Sequence, residues 1–193
     1  MFRLGVRLFE LGSRVGQRYA ALRENALPIM TALNEETGQT VFLVTRSGLR
    51  GVCVERIDGQ QVQVMILPPG GSVALHGGSA SRVLLAYAPS FVQDQFFAQE
   101  DIEQYTARTP DRQALKAELE SIRRDGYSVS TDDVVPGIAA IGAPVRGHTG
   151  DVIAAVSITG PEPSVLGSRE ERNIELVLDA AARISRASGY RIA

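Results

Sequence analysis

Few side chains in this sequence are of the types that do chemistry. The histidines are His76 and His148 and the thiol is Cys53. Cys53 stands between Val52 and Val54 in an apolar run, the setting of a small buried hydrophobe, and no partner residues for a nucleophilic cysteine accompany it. His148 falls in the turn-like stretch RGHTGD and reads as a solvated loop residue. The adjacent carboxylates Asp132 and Asp133 could form an acid/base pair, or they could start a loop or cap a helix. No second carboxylate pair, HExxH or GxSxG is present to support the catalytic choice. Two other stretches look suited to binding. In LHGGSASRVLLA, Gly77 and Gly78 permit a tight turn, after which Ser79 and Ala80 present free amides at a helix start, a ready site for a carboxylate or phosphate. The plainer reading is that Ser79 simply caps that helix. In VIAAVSITGP, the two-residue strand period puts Ser157 and Thr159 on one face and Val156 and Ile158 on the other. The hydroxyls must either find buried partners or line a pocket.

The elements that must hold these residues follow from periodicity. Leu4, Leu8, Leu11, Val15 and Leu22 form one helical stripe, flanked by Arg3, Arg7, Arg14 and Arg18. Gly5, Gly12 and Gly16 weaken that helix by about 1 kcal/mol each and call for a packing partner. A second helix is expected over about 23–37, ended by Gly38. Strands are expected at 40–45, 51–57 and 62–67, joined by RSGLR and DGQQ, before Pro68 to Gly71 break the sheet. Residues 79–87 turn helical, and 90–126 is expected to be helical outside its connections, with Thr109 as a helix cap and Gly126 as terminator. Strands return at 127–130, 138–145 and 152–159. Ser168 and Glu171 then form a capping box for a last helix reaching about Ala187. Grouped strands imply an α+β fold: a mostly antiparallel sheet of about six strands, covered by helices on one face and preceded by a linker helix.

Composition narrows the function classes. With 193 residues, 20 Lys plus Arg against 22 Asp plus Glu and 44% hydrophobic residues, the chain is of ordinary globular make-up and carries no field that would draw it to DNA or an anionic membrane. A lone cysteine cannot form an internal disulfide or a thiolate metal cage, so neither a metal nor a cofactor is expected, and a reducing cytoplasm is the expected location. No apolar run approaches the roughly 18 residues of a membrane span.

Taken together, FRLGVRLFELG, ETGQTVFLVTRSG, LHGGSASRVLLAY, IRRDGYSVSTDDVVPGIAAIGAPV and AAVSITGP, in this order and spacing, make nearly the whole chain resemble the effector-binding region of IclR-type bacterial transcriptional regulators. The resemblance implies a GAF-like sheet with covering helices and a pocket for a small organic acid, closed by the loop before the fourth strand. It places the acid's carboxylate on the amides following Gly78, at Ser79 and Ala80. Ser130, Ala140, Ser157 and Thr159 fall at the other effector-contacting positions. The chain departs from the family at HGGSASR, where a Gly-Lys pair is commoner, and in having serine at 130, which leaves the pocket more neutral.

The same resemblance divides the chain into a linker and dimerisation helix at 1–22 and an effector-binding domain at 23–193. It implies a homodimer or tetramer, and contact with DNA only through an N-terminal winged helix-turn-helix that does not precede Met1. The leading expectation is therefore a non-enzymatic sensor of a small organic acid. A small hydrolase using Asp132 or Asp133 beside an anion site, and a purely oligomeric module, are the alternatives.

Overall fold

The stretch TVFLV is apolar at successive positions, which is how a strand reads when both of its faces are buried. In the computed structural model, which describes residues 6–60 and 67–191 and side chains from residue 19 onward, this stretch lies in β1 (Thr40–Ser47) near the middle of a six-stranded sheet. The other strands are β2 (Arg50–Ile57), β3 (Ser72–Ala74), β4 (Ser128–Thr131), β5 (Ile138–Arg146) and β6 (Val152–Pro161). Their order is β3-β2-β1-β6-β5-β4 and every pairing is antiparallel. The α+β class with an antiparallel sheet is as the sequence implies.

Helices cover both faces rather than the one expected. Val41, Leu43, Ile141, Val156 and Ile158 pack under α1 (Val6–Thr37) and α6 (Glu170–Ala187), against Met30, Leu33, Val177 and Ile184. Phe42, Val44 and Ala155 face the opposite layer, built from α2 (Ser79–Ala86), α3 (Ser90–Phe97) and α4 (Arg112–Asp125), with Leu85, Phe96, Leu115 and Leu119 at its centre. A short α5 (Glu162–Val165) joins β6 to α6.

Several boundaries differ from expectation for identifiable reasons. One helix, α1, replaces the two expected to meet near Arg23, because Ala20 to Glu24 are all good helix formers and none ends a helix. It even continues through Pro28, whose missing N–H leaves the Glu24 carbonyl without its helical donor. Residues 62–66 of the expected third strand lie outside the described residues. The described edge strand is β3, just after the Pro-Pro-Gly-Gly turn, which keeps its hold on β2 through Gly70 N–H to Cys53 O (2.8 Å) and Cys53 N–H to Gly71 O (3.0 Å). Residues 98–111 are not helical, and α4 is capped by Asp111, whose carboxylate accepts from the Gln113 and Ala114 amides at 2.9 and 2.8 Å, rather than by Thr109. The expected capping box at Ser168 does not form: α6 starts after Arg169 with no side-chain cap, and Asn173 instead ties its first turn to the Val165 carbonyl of α5 at 2.8 Å. Gly126 ends α4 with φ +82°, the left-handed turn that favours glycine.

Candidate ligand-binding cavity

A cavity with about 80 Å³ of enclosed, water-accessible space lies between the sheet and the start of α2. That is room for several waters' worth of ligand atoms, and it opens to solvent at its mouth. Its floor comes from two rows of the sheet. Ser130 pairs with Ala140 and Ala140 with Thr159, one row; Gly142 pairs with Ser157 and Ser157 with Phe42, the next. Opposed residues in antiparallel strands point to the same face, so both rows look toward α2. Gly78, Ser79, Ala80, Ser130, Ala140, Ser157 and Thr159, the seven residues singled out in the sequence, all line this one cavity.

At the roof, α2 begins with unmatched donors. Its cap position is Gly78 (φ +73°, ψ 161°), which offers no side chain, and Ser79 is the first helical residue. The Ser79 hydroxyl therefore does not cap the helix: it is fully buried and has no hydrogen-bond partner. Among the described residues no acceptor meets the Ser79 or Ala80 amides, as geometry dictates for a helix's first turn. The roof also sits very low. A Cβ on Gly142 would lie 3.0 Å from both the Ala80 nitrogen and the Ser79 hydroxyl, so only glycine at 142 lets the helix start approach β5 this closely.

The far wall is the β4–β5 loop, which contributes Asp133, Val134 and Val135 to the lining. Sequence reasoning missed the two valines. Their signal was a consecutive apolar pair inside an otherwise polar, turn-rich segment, which has to bury itself somewhere. Phe42 and Val44 were missed as well, although they share a face with Ser157 by strand alternation. The loop is strapped from outside. The Thr109 hydroxyl donates to Asp133 O (2.8 Å) and accepts the Tyr105 and Thr106 amides, while Thr106 Oγ1 donates to Asp132 O (2.6 Å).

Behind the roof is an ionic cluster in which Arg82 and Asp133 are buried and Glu118 reaches the surface. Arg82, 3% exposed, forms a salt bridge with Asp133, donates Nη1–H to Glu118 Oε2 (2.8 Å) and donates Nε–H to the His76 carbonyl (2.8 Å). Asp133 Oδ2 also accepts the Gly78 amide at 3.2 Å. Burial pushes the Glu118 carboxyl above its ordinary range, with Arg82 pulling the other way. Burial likewise pushes His76 down; its Nε2 meets the Glu103 carbonyl at 2.6 Å, so Nε2 carries the hydrogen, and its Nδ1 has no partner.

Asp132 and Asp133 do not converge on one site. Asp133 is committed to Arg82 and Gly78, while Asp132 accepts from the Gly137 amide and stands 3.5 Å from Arg108. Cys53 is buried, with its thiol raised to about 11 first by burial and then by Glu55. His148 is exposed in its loop. Among the described residues no group of three His, Cys, Asp or Glu side chains could hold a metal, and no helix is long and apolar enough to cross a membrane.

A family model described as "Bacterial transcriptional regulator IclR C-terminal" matches residues 18–186. The chain is similar to the HTH-type transcriptional regulator KipR of Bacillus subtilis, 32% identical over 98% of this chain and 76% of that protein. It spans 76% of the length of KipR and 61% of the transcriptional repressor AllR of Escherichia coli, to which it is 30% identical. Among solved structures, the IclR of Thermotoga maritima superposes with a TM-score of 0.86 at 30% identity, over 96% of this chain and 75% of that one. An IclR homolog from Microbacterium hydrocarbonoxydans complexed with 4-hydroxybenzoate superposes with a TM-score of 0.83 at 26% identity, with the same two coverages.

Proposed function

From the premise that this chain belongs to the IclR family of bacterial transcriptional regulators, as their C-terminal ligand-binding regulatory domain, we propose that the cavity under α2 binds a small organic acid effector. The acid's carboxylate accepts the Ser79 and Ala80 amides at Gly78, and its body lies over Ala140 between Ser130, Ser157 and Thr159. One observation carries this reading: Gly78, Ser79 and Ala80 at the start of α2 line a largely apolar cavity, and among the described residues no acceptor meets the Ser79 and Ala80 amides. A carboxylate supplies the acceptors these donors lack, at the positive end of the helix. The 4-hydroxybenzoate bound by the Microbacterium homolog is an acid of this kind. The role is sensory rather than catalytic, since the carboxylate nearest the cavity, Asp133, is already engaged by Arg82.

In the whole regulator, the effector acts by binding two arrangements of the protein with unequal affinity, because a ligand indifferent to the two shifts nothing. The arrangements are those of dimers, or dimers of dimers, joined through the segment at 1–22. They differ in the spacing of the DNA-binding domains that the longer relatives carry ahead of this region, in the cytoplasm. The test is thermal melting against keto acids, dicarboxylates and aromatic acids. An acid at about 100 times its Kd stabilises by about 2.7 kcal/mol, or roughly 5–10 °C for a domain of this size. The absence of a shift with every class would overturn the reading.

A further inference from the structure

We propose that Asp133 makes this cavity selective for acids with a single negative charge whose second polar group is neutral, so that hydroxy acids bind and matched dicarboxylates are refused. The proposal rests on the effector reading above and deepens it. Its first support is the charge around the cavity. Among the described residues no Lys, Arg or His side chain lines it, and Asp133 is the one charged residue in its wall. The nearest cation, Arg82, lies behind the roof and is shared between Asp133, Glu118 and the His76 carbonyl. Two carboxylates thus stand against one guanidinium, and no positive charge is left for the ligand. Asp133 also takes the Gly78 amide, leaving the Ser79 and Ala80 amides for one incoming carboxylate. A second carboxylate would be desolvated in an apolar cavity beside a resident anion, which disfavours its charged form on both counts.

The second support is the spacing of the polar atoms. The start of α2 at Ser79 and Ala80 marks the carboxylate pole, with Ser157 in the row of the sheet nearest to it. The next row is two residues along the strand, about 7 Å away by strand rise. It carries Ser130 and Thr159 on either side of the Ala140 methyl. Hydroxyls can donate to or accept from a neutral hydroxyl or carbonyl, but they supply no charge to offset a carboxylate. The ligand that fits therefore has a carboxylate at one end, an apolar body over Ala140, and a neutral oxygen at the other end. A para-substituted benzene ring or a short straight chain provides that span.

Calorimetry on the full chain with two matched pairs tests this: 4-hydroxybenzoate against terephthalate, and 5-hydroxypentanoate against glutarate. The expected result is that the hydroxy acid of at least one pair binds ten times or more tighter than its dicarboxylate, and that Asp133→Asn narrows this ratio by admitting the dicarboxylate. If, in every pair that binds, the dicarboxylate binds as well as its partner, the selectivity is overturned while the effector reading stands. If neither pair binds, although another acid shifts the melting temperature, the two-pole geometry is wrong. Silence from every acid tested overturns both. Should Asp133→Asn unfold the chain, Thr159→Val serves instead: it should narrow the advantage of 4-hydroxybenzoate over benzoate, and an unchanged ratio would remove the distal pole from the proposal.

Discussion

The two faces of the sheet are made by the same strands and do opposite things. On the α1/α6 face, β5 and β6 present Ile141, Ala143, Val156 and Ile158, all fully buried against hydrocarbon. One residue away on each strand, the other face presents Ala140, Ser157 and Thr159, and there the helix start of α2 spans a cavity rather than filling it. Alternation therefore separates stability from binding within a single strand. Side chains large enough to fill the layer go one way, and side chains small enough to leave room go the other. The exception is the ionic cluster around Arg82 and Asp133, which gives the binding face its own point of fragility.

That exception supplies the largest expected effect. Removing Arg82 leaves Asp133 buried without its partner, a loss of about 3–5 kcal/mol for a broken buried pair. Arg82→Met should therefore destabilise the chain as much as Ile141→Ala does on the packed face, where deleting a fully buried aliphatic group costs about 2–5 kcal/mol. Denaturant melts of the two variants decide the matter. If Arg82→Met is nearly neutral while Ile141→Ala is costly, the ionic cluster contributes little to the fold and the division between the faces is complete.

A smaller effect separates binding from stability at one atom. In Gly142→Ala the new methyl sits 3.0 Å from the Ala80 nitrogen and displaces the helix start whose amides hold the proposed carboxylate. The helix start must give by a few tenths of an ångström, and overpacking of this kind costs about 1–3 kcal/mol. Affinity for an acid that binds the parent chain should fall at least tenfold by calorimetry, whereas Ala143→Gly, on the packed face of the same strand, should leave it intact. Equal losses in the two variants would mean that the faces are not independent.

How much of this could be read from the sequence follows the same division. Five of the six strands, the hairpins at RSGLR and RGHTGD and the helix over 79–86 are legible because apolar periodicity and turn residues act locally, whereas the short edge strand β3 after the Pro-Pro-Gly-Gly turn is not. The cavity residues were legible as types, since hydroxyls alternating with Val156 and Ile158 on a strand and amides after Gly77-Gly78 are local patterns too. What was not legible depends on distant partners. Thr109 looked like a helix cap, but it is used to strap the Asp133 loop from 24 residues away. Asp133 looked like half of a carboxylate pair, but its partner is Arg82, 51 residues earlier. The continuity of α1 through Pro28 and the second helical layer are tertiary outcomes of the same kind: apolar runs such as TVFLV signal burial on both faces but do not name what covers the second one.

The smallest expected effect concerns pH, again on the binding side. His76 is held between Phe96 and Tyr105 with its Nδ1 unpartnered, and burial lowers its pKa below the ordinary 6.5. The folded state therefore resists protonation that the unfolded chain accepts. Above pH 6.5 the group contributes no slope. Below it the unfolded state binds the extra proton and stability falls with pH until the folded-state pKa is reached, at no more than about 1.4 kcal/mol per pH unit for one proton. Glu118 works in the opposite direction and lower, since its raised carboxyl makes the folded state the better proton acceptor as pH falls toward 4.5. The informative quantity is therefore a difference: melting curves of the parent chain and of His76→Phe between pH 7.5 and pH 5.5. The parent should lose stability across that interval, and the variant, which keeps the ring stacking but has no proton to accept, should lose less. Parallel curves would mean that His76 does not resist protonation in the folded chain, and that the binding face is no more sensitive to acid than the hydrocarbon layer behind it.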